Sequence, residues 1–503
     1  MGSRAGNSGK NREGGGRVVL VNPPAGVANK DTRYRLPILN SLPQLGILYI
    51  AGVLLSEGID VRVLDAQALG LDVVETVDYV RDWAPKILGL TGYTSTVGFA
   101  HEIAREMKDI SPDLVTVLGG PHVTAVPEKT LSLFPAFDCA LLGEGEDSVA
   151  PLFKSLVDGG LNNDLKKIPG IVYREGKEIR INERPPLITD LDTIPPPPLE
   201  FLPGFPQLYS PPIFHSPKRL AATLVTSRGC PFSCTFCDRA VFGNRYRHHS
   251  IEYIIDMIRR LKVDHGIDHI IFYDDNFTVD KNHLTRLLEE IMRLPFPITW
   301  NSDARTDLID PELLRLMKRA GAFMINYGIE TADPDLLESM EKTLSPETAA
   351  RAVSITAEAG IYVKGLFIVG APGETRDSIE RTKDFISDLP FTLINASKYT
   401  PYPGCEAYED IEKYGEFDED WEKMNAMNFV FWPDTIDRES LVRGYNDLLK
   451  EFYKNPKQWK TFKVMLKENR FDRLRLLKTT LGHARYSIKK TISKKKGLDK
   501  FDL

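Results

Sequence analysis

The chain has 503 residues, a formal net charge of −6, and a composition that is 42% hydrophobic and 27% charged. This length is too great for one ordinary domain and predicts two to four, with the composition of a soluble globular protein. The sequence shows no run of eighteen uncharged apolar residues and no apolar N-terminal segment. We therefore predict a cytoplasmic protein without a membrane-spanning helix or signal peptide. Five cysteines, three of them clustered, exclude a disulfide framework and indicate a reducing compartment.

Residues 1–16 are polar and Gly-rich, and we expect a disordered tail there. Residues 17–165 then alternate strand and helix patterns, which predicts a doubly wound parallel sheet. Ligands of such sheets bind at the carboxyl ends of the strands. The predicted strand ends carry small and polar residues, namely Thr94, Ser95, Thr96, Gly119, Gly120, Gly143, Glu144 and Gly145.

Three further regions follow. Residues 166–218 predict a hairpin with Gly176 in its turn and then a Pro-rich, extended connector. Residues 219–405 contain six strand–helix units, which predict a partial (β/α)6 barrel of the TIM type with its chemistry at the strand C-terminal ends. Residues 406–503 predict a small, mostly helical domain that ends in a basic tail. From Lys454 onward the chain carries 16 Lys and Arg against 4 Asp and Glu.

The most informative motif is RGCPFSCTFCD at residues 228–238, which places Cys230, Cys234 and Cys237 in the spacing C-x3-C-x2-C. Three cysteines on one short loop can ligate three irons of a cubic iron–sulfur cluster and leave the fourth iron open. The alternative is a structural zinc site, which would require a fourth protein ligand. The other two cysteines, Cys139 and Cys405, are isolated in the sequence.

This spacing resembles that of the radical S-adenosylmethionine superfamily. The resemblance implies that S-adenosylmethionine chelates the open iron and that one-electron cleavage gives a 5′-deoxyadenosyl radical. It extends to the later strand ends and to GLFIVGAPGE at residues 365–374, which is similar to the family's adenine-binding element. Each such residue alone could equally be a salt-bridge partner on a surface loop. The implied S-adenosylmethionine contacts are Phe236, Asp274, Asp275, Asn276, Arg305, Glu330, Ile368 and Gly370.

The first domain resembles the cobalamin-binding domain of one large subfamily through the segments VNPP, LPQLGILYIAGVL, LGGPHVT and LLGEGE. The resemblance implies that the small and polar strand-end residues named above contact cobalamin. The motif D-x-H-x-x-G, which supplies an axial histidine, is absent, so the axial position stays open. Tyr34 and Arg35 are weaker candidates for the cobalt face, and a nucleotide fold that binds nothing is the alternative.

Other candidates favour structural roles. We interpret His122 as a hydrogen-bonded turn histidine, Cys405 as a small buried thiol, and His248 and His249 as part of a loop surface.

The combined resemblance implies a cobalamin-dependent radical S-adenosylmethionine enzyme that methylates an unactivated carbon. A cyclase, oxidoreductase or rearranging radical enzyme is one alternative, and a non-catalytic cobalamin-binding protein with a structural cluster is another. Expected partners are a small-molecule substrate and a reductase such as flavodoxin or ferredoxin. The basic tail is either a solvated helix face or a peripheral membrane contact, which would fit a lipid or isoprenoid substrate. Nucleic acid is disfavoured because the rest of the chain is acidic.

Overall fold

The computed structural model describes residues 18–25, 42–160, 165–212 and 214–468. Tyr34, Arg35 and the basic tail beyond Glu468 lie outside these residues. Within the described part of the chain, no helix has both the length and the apolarity that crossing a bilayer requires.

Seven strands build the N-terminal sheet in the order β2-β1-β3-β4-β5-β6-β7. They are β1 (Val18–Asn22), β2 (Val61–Asp65), β3 (Ile87–Thr91), β4 (Val115–Gly119), β5 (Cys139–Leu141), β6 (Ile171–Glu175) and β7 (Glu178–Ile181). The first five are parallel, as predicted. The predicted hairpin, β6 and β7, pairs antiparallel with β5 and so extends this sheet.

Within the described residues, seven helices accompany this sheet. They are α1 (Leu45–Ser56), α2 (Ala66–Leu69), α3 (Val73–Trp83), α4 (Val97–Ile110), α5 (Pro121–Ala125), α6 (Pro127–Leu133) and α7 (Glu146–Gly159). Helix α3 begins with a capping box in which Asp72 and Glu75 bond each other's backbone N–H groups.

Six parallel strands form a second sheet in which sequence neighbours are spatial neighbours, in the order β15-β14-β13-β12-β11-β8. They are β8 (Ala221–Leu224), β11 (His269–Phe272), β12 (Thr299–Ala304), β13 (Ala322–Glu330), β14 (Tyr362–Val369) and β15 (Leu393–Lys398). Strands β9 (Ser227–Arg228) and β10 (Arg247–His248) form a separate antiparallel pair. The predicted partial barrel is therefore confirmed.

The first five barrel strands are each followed by one or two helices on the outside. They are α8 (Ile251–His265), α9 (Lys281–Met292), α10 (Pro311–Arg319), α11 (Pro334–Ser339), α12 (Pro346–Glu358) and α13 (Arg376–Asp388). All six begin at a side chain that accepts a hydrogen bond from the first helical turn. Such caps fix where each helix starts and therefore how long the preceding loop can be.

The last described region has two helices, α14 (Arg438–Lys454) and α15 (Pro456–Glu468), and a short antiparallel pair, β16 (Gly415–Phe417) with β17 (Phe431–Pro433). The predicted mostly helical character is confirmed. Phe431 and Phe417 pack into an apolar cluster with Phe236 of the cysteine loop, so this region covers one side of the barrel mouth.

The two sheets share one hydrophobic core. A single cluster of buried side chains runs from Leu48 of α1 through Tyr209 of the Pro-rich connector to Trp300 of β12. The Tyr209 hydroxyl also donates to Asp65 at the end of β2, at 3.1 Å. The connector is therefore packed between the domains and fixes how the strand ends of both sheets face each other.

Candidate active site

The cysteine loop begins directly after β9, and two consecutive carboxylates hold it. Asp274 accepts hydrogen bonds from the backbone N–H of Thr226 at 2.7 Å, from the Ser227 hydroxyl at 2.8 Å and from the Thr226 hydroxyl. Asp275 accepts from the backbone N–H of Gly229 at 2.9 Å. Burial raises the pKa of Asp274 to about 6, against the opposing effect of these hydrogen bonds. The end of β11 thus positions the loop.

Gly229 allows the loop to turn into the barrel mouth. Its φ is +82°, a left-handed conformation that residues with a Cβ rarely adopt. A Cβ at this position would also overlap the carbonyl oxygen of Arg245. Any other residue would displace the backbone immediately before Cys230.

The three thiols lie close enough to influence one another electrostatically. Desolvation by the surrounding loop is the first cause that raises the pKa of Cys237 to about 12, although the residue is exposed at one side, and Asp275 and the neighbouring cysteines add to it; desolvation also raises the pKa of Cys230. Thiols in this environment need a bound cation to become thiolates. Among the described residues, no three His, Cys, Asp or Glu side chains are arranged to hold a single metal ion. A cubane presents its irons at separate corners, so the three cysteines of one loop can each ligate a different iron.

Arg305, at the end of β12, places a fixed positive charge beside the loop. Its guanidinium lies 3.6 Å from the centre of the Phe232 ring and forms a two-pronged ion pair with Asp307 at 3.0 Å. The side chain is buried. Stacking and pairing together hold the guanidinium in one orientation.

Glu330, at the end of β13, pairs with a lysine that the sequence analysis missed. Lys342 Nζ donates to Glu330 Oε1 at 2.7 Å and lies 5.7 Å from the centre of the Phe236 ring. Both charged side chains are nearly buried. Glu330 has a φ of +68°, unusual for a residue with a side chain, and such backbone outliers concentrate at functional sites.

The remaining predicted positions are Phe236, Ile368, Gly370 and Asn276. Phe236 and Ile368 pack into the same apolar cluster. The backbone N–H of Gly370 donates to the buried carboxyl of Glu374 at 3.1 Å. Asn276 is buried, its Oδ1 accepts from Thr278, and its Nδ2 has no hydrogen-bond partner within the described structure.

A cavity of about 400 Å³ lies where the two sets of strand ends meet. Gly119, Gly120, Gly143, Glu144 and Gly145 line it from the N-terminal sheet, while Thr94, Ser95 and Thr96 do not. Thr94 is buried against His122, and Thr96 accepts from the backbone N–H of Tyr93. From the barrel side the wall is formed by Thr223, Val225, Arg228, Tyr273 and Asp275.

Gly120 lets two strand ends approach closely at this cavity. Its φ is +108°, and a Cβ there would come within 2.8 Å of the Gly92 carbonyl oxygen. Glu144 has a different role from its glycine neighbours because its carboxylate is already occupied. It accepts from Arg228 at 2.9 Å and from Arg247 at 2.7 Å, both buried.

Comparison with known proteins agrees with this geometry. Residues 224–386 match the radical SAM superfamily, and residues 34–153 match the B12 binding domain. An uncharacterized methyltransferase of Pyrococcus horikoshii is 32% identical over 452 residues, which cover 88% of this chain and 93% of that protein.

The chain belongs to the cobalamin-dependent radical S-adenosylmethionine family. The anaerobic magnesium-protoporphyrin IX monomethyl ester cyclase of Rubrivivax gelatinosus is 30% identical, over 83% of this chain and 75% of that one. The structure of the radical S-adenosylmethionine methyltransferase TsrM from Kitasatospora setae, with cobalamin and a [4Fe-4S] cluster bound, superimposes with a TM-score of 0.62. That match has 21% identity over 79% of this chain and 75% of that chain, and it shows the shared fold.

As a radical S-adenosylmethionine enzyme of this family, the protein uses a [4Fe-4S] cluster, S-adenosylmethionine and cobalamin, as predicted. The structural roles of two other residues are also confirmed, although His122 lies in helix α5 and not in a turn. His122 is buried with Nδ1 at 3.2 Å from Thr94 Oγ1, and burial lowers its pKa to about 4. Cys405 is buried.

The prediction that His249 lies on the surface of the protein is wrong. His249 is fully buried, and its Nδ1 lies 3.0 Å from Asp192 of the connector, whereas His248 is exposed and stacks on His283. His248 is the last residue of strand β10, and His249 follows it. Successive side chains of an extended chain point to opposite sides, so one histidine is exposed and the other is buried.

Proposed function

We propose that this protein methylates an unactivated carbon of a small molecule. When bound, the cluster with S-adenosylmethionine supplies a hydrogen-abstracting radical and cobalamin supplies the methyl group. One observation carries the proposal: Asp275 lines the cavity and also accepts the backbone N–H of Gly229 in the cysteine loop. The cavity and the loop thus share a wall, so a molecule in between can meet both cofactors.

The contacts around the cysteine loop support a division of tasks among the proposed S-adenosylmethionine residues. Arg305 and Lys342 are the fixed cations for the carboxylate, and Glu330 and the free amide N–H of Asn276 offer polar contacts to the rest of the molecule. Asp274 is fully engaged by the loop, so we assign it to positioning the cysteines.

Adenine would contact the apolar side of the same site. Phe236 and Ile368 share a cluster there, and the Gly370 loop supplies backbone edges. The buried Glu374 fixes that loop because it accepts from the Gly370 N–H. Cys230, Cys234 and Cys237 would ligate the cluster.

For cobalamin, the glycines that line the cavity are the proposed contacts. Gly119 is the most open, since a Cβ there would meet nothing within 4 Å. Tyr93, which was not predicted, also lines the cavity and donates to Gln44 at 2.8 Å. Thr94, Ser95 and Thr96 would act indirectly, by shaping the start of α4.

A second candidate function keeps the radical but transfers no methyl group. It is favoured by the similarity to the magnesium-protoporphyrin cyclase, which covers most of this chain. The same proposed site would then oxidise and close a ring on its substrate. A reductase would be needed for either reaction, because the cluster must receive an electron.

Anaerobic reconstitution separates these functions. Protein purified without oxygen should contain iron, sulfide and cobalt, and with a reductant it should convert S-adenosylmethionine into 5′-deoxyadenosine. S-Adenosylhomocysteine together with a methylated product supports methyl transfer, whereas turnover with 5′-deoxyadenosine alone supports the second function. Cys234→Ala should abolish 5′-deoxyadenosine formation, and Cys139→Ala, in the core of the N-terminal sheet, should not. Equal activity of Cys234→Ala would refute the cluster assignment.

A further inference from the structure

Three polar side chains form a row across the barrel that the assigned cofactor contacts leave unused. Asp303 of β12 is the register partner of Asn326 of β13, which is the partner of Lys364 of β14. Paired residues of parallel strands project from the same face of a sheet. A carboxylate, an amide and an ammonium group thus stand side by side at one level of the barrel.

This row faces the barrel interior and continues to the cavity between the domains. Phe272 pairs with Ser302, and Leu224 with Phe272, so the next residues, Val225 and Tyr273, fall in the same row as Asp303. Val225 and Tyr273 line the cavity. Tyr273 also interacts electrostatically with the Asp303 carboxylate. The row that contains Asp303, Asn326 and Lys364 therefore starts at the wall of the cavity, beside the Tyr273 ring.

The charges in the row have neutral partners. Asn326 Nδ2 donates to Asp303 Oδ1 at 2.7 Å, and Lys364 Nζ lies 3.0 Å from Nε2 of His215. Burial lowers the pKa of His215 to about 3, so the imidazole is the acceptor in that contact. Asn326 Oδ1 is buried and has no hydrogen-bond partner within the described structure. Asp303 and Lys364 are half-buried and attract each other electrostatically, but no ion pair joins them within the described residues, so a ligand that pairs with each would stabilise both charges.

The spacing of the strands sets the distance between the two charges of the row. Adjacent strands lie about 4.8 Å apart, so the backbones of Asp303 and Lys364 are separated by roughly 10 Å, with Asn326 between them. A group placed over Asn326 can donate to Asp303 and Asn326 Oδ1 on one side and accept from Lys364 on the other.

We propose that Asp303, Asn326 and Lys364 bind a zwitterionic end of the substrate, with its ammonium at Asp303 and Asn326 and its carboxylate at Lys364. The apolar body of the substrate then lies along Tyr273 in the cavity. This assignment rests on the proposed function, because it makes the barrel interior the place where the substrate is anchored.

Three labelled probes of similar size test this assignment by equilibrium dialysis against the anaerobically reconstituted holoenzyme without reductant. L-Phenylalanine carries both charges, phenethylamine lacks the carboxylate, and 3-phenylpropionate lacks the ammonium. We expect L-phenylalanine to bind at least about tenfold more tightly than either analogue. Equal binding of all three probes, or no binding of L-phenylalanine, would overturn the assignment without any variant having to fold.

Charge-removing variants then locate the contacts. Asp303→Asn should remove the preference over 3-phenylpropionate, and Lys364→Met the preference over phenethylamine. Lys262→Met and Asp268→Asn break an ion pair on the outside of the barrel and should keep both preferences. If the row variants retain iron and both preferences, the assignment is wrong. If the preferences are as expected but no 5′-deoxyadenosine forms under reducing conditions, the proposed function fails while the anchoring site stands.

Discussion

The guanidinium of Arg228 donates to Glu144 at 2.9 Å and to Glu146 at 2.7 Å, and all three side chains are almost completely buried. Arg228 stands two residues before Cys230, and the two carboxylates follow β5 of the N-terminal sheet. Arg247 of β10 completes the network with a second contact to Glu144 at 2.7 Å. This network joins the cobalamin-binding domain directly to the cysteine loop, so the two halves of the site are held in one geometry.

Removing Arg228 should therefore destabilise the protein strongly. In Arg228→Met, Glu146 loses its cationic partner, while Glu144 keeps Arg247 and the backbone N–H of Ile188, so the carboxylate of Glu146 is left uncompensated in a buried place. We expect the free energy of unfolding to fall by about 3–5 kcal/mol. Urea denaturation measures this change. Arg180→Met breaks an exposed pair with Glu175 on the β6–β7 hairpin and should leave the unfolding midpoint near that of the wild type. Similar midpoints for both variants would contradict a structural role of the network.

Gly229→Ala should prevent cluster assembly. The new methyl group would overlap the Arg245 carbonyl oxygen at a φ of +82°, so the backbone before Cys230 must move. We expect iron and sulfide contents after anaerobic reconstitution to fall several-fold. Gly176→Ala is the matched control, since Gly176 also has a positive φ but a Cβ there would meet nothing within 4 Å. Wild-type iron content in Gly229→Ala would show that the loop tolerates the displacement.

Gly119→Leu should reduce cobalamin binding without harming the fold. Gly119 lines the cavity, and a Cβ there points into open space, so the larger side chain would fill the volume that the corrin needs. We expect cobalt content to fall while iron content stays unchanged, with Gly119→Ala showing a small effect. A cobalt content in Gly119→Leu equal to that of the wild type would show that the corrin binds elsewhere.

The fold could be predicted from the sequence because its signals are local. Buried strands followed by helices with start and stop residues define both sheets, and the cysteine spacing identifies the cluster loop. Helix α3 is hard to recognise in the sequence although Asp72 and Glu75 form a capping box, because its polar composition hides the apolar face. Pairing of the β6–β7 hairpin with β5 could not be predicted, since register with a distant strand has no signature within the hairpin.

The roles of individual site residues were harder to predict because they depend on long-range partners. Asp274 and Glu144 lie where expected, but the Thr226–Ser227 segment and Arg228 occupy their carboxylates. Lys342 is twelve residues from Glu330 in the sequence and reaches it through the turn after α11. The position at a strand end therefore predicts which residues lie at a site, but it does not predict their hydrogen-bond or ion-pair partners.

Lys342→Met should weaken S-adenosylmethionine binding and leave the cluster intact. The variant removes the ammonium group that lies between Glu330 and the Phe236 ring, and it leaves Glu330 unpaired at the site. Equilibrium dialysis with labelled S-adenosylmethionine should show affinity at least about tenfold lower. Lys342→Arg keeps the positive charge and should recover part of the lost affinity for S-adenosylmethionine. If Lys342→Met binds S-adenosylmethionine as tightly as the wild type, Arg305 alone is the cation that binds its carboxylate.

Glu374 should make stability fall as the pH rises from about 4.5 to about 7. Burial raises the pKa of its carboxyl from 4.5 to about 7, despite hydrogen bonds from Ser378 and Gly370. The folded protein therefore holds this proton where the unfolded chain has released it. As a result, the free energy of unfolding decreases between pH 4.5 and about 7 and loses nothing further from this group above that range.

Glu374→Gln should remove the pH-dependent contribution of this carboxyl to the free energy of unfolding. Relative to the wild type, the variant's free energy of unfolding should rise on the order of 3 kcal/mol between pH 4.5 and 7.5. Denaturation at a series of pH values gives this difference. Titration of buried histidines such as His122 and His269 cancels in it, because both proteins share them. Glu289→Gln, an exposed change on α9, should run parallel to the wild type. A parallel profile for Glu374→Gln as well would mean that this carboxyl is ionised in the folded protein at pH 5 and that its loop admits water.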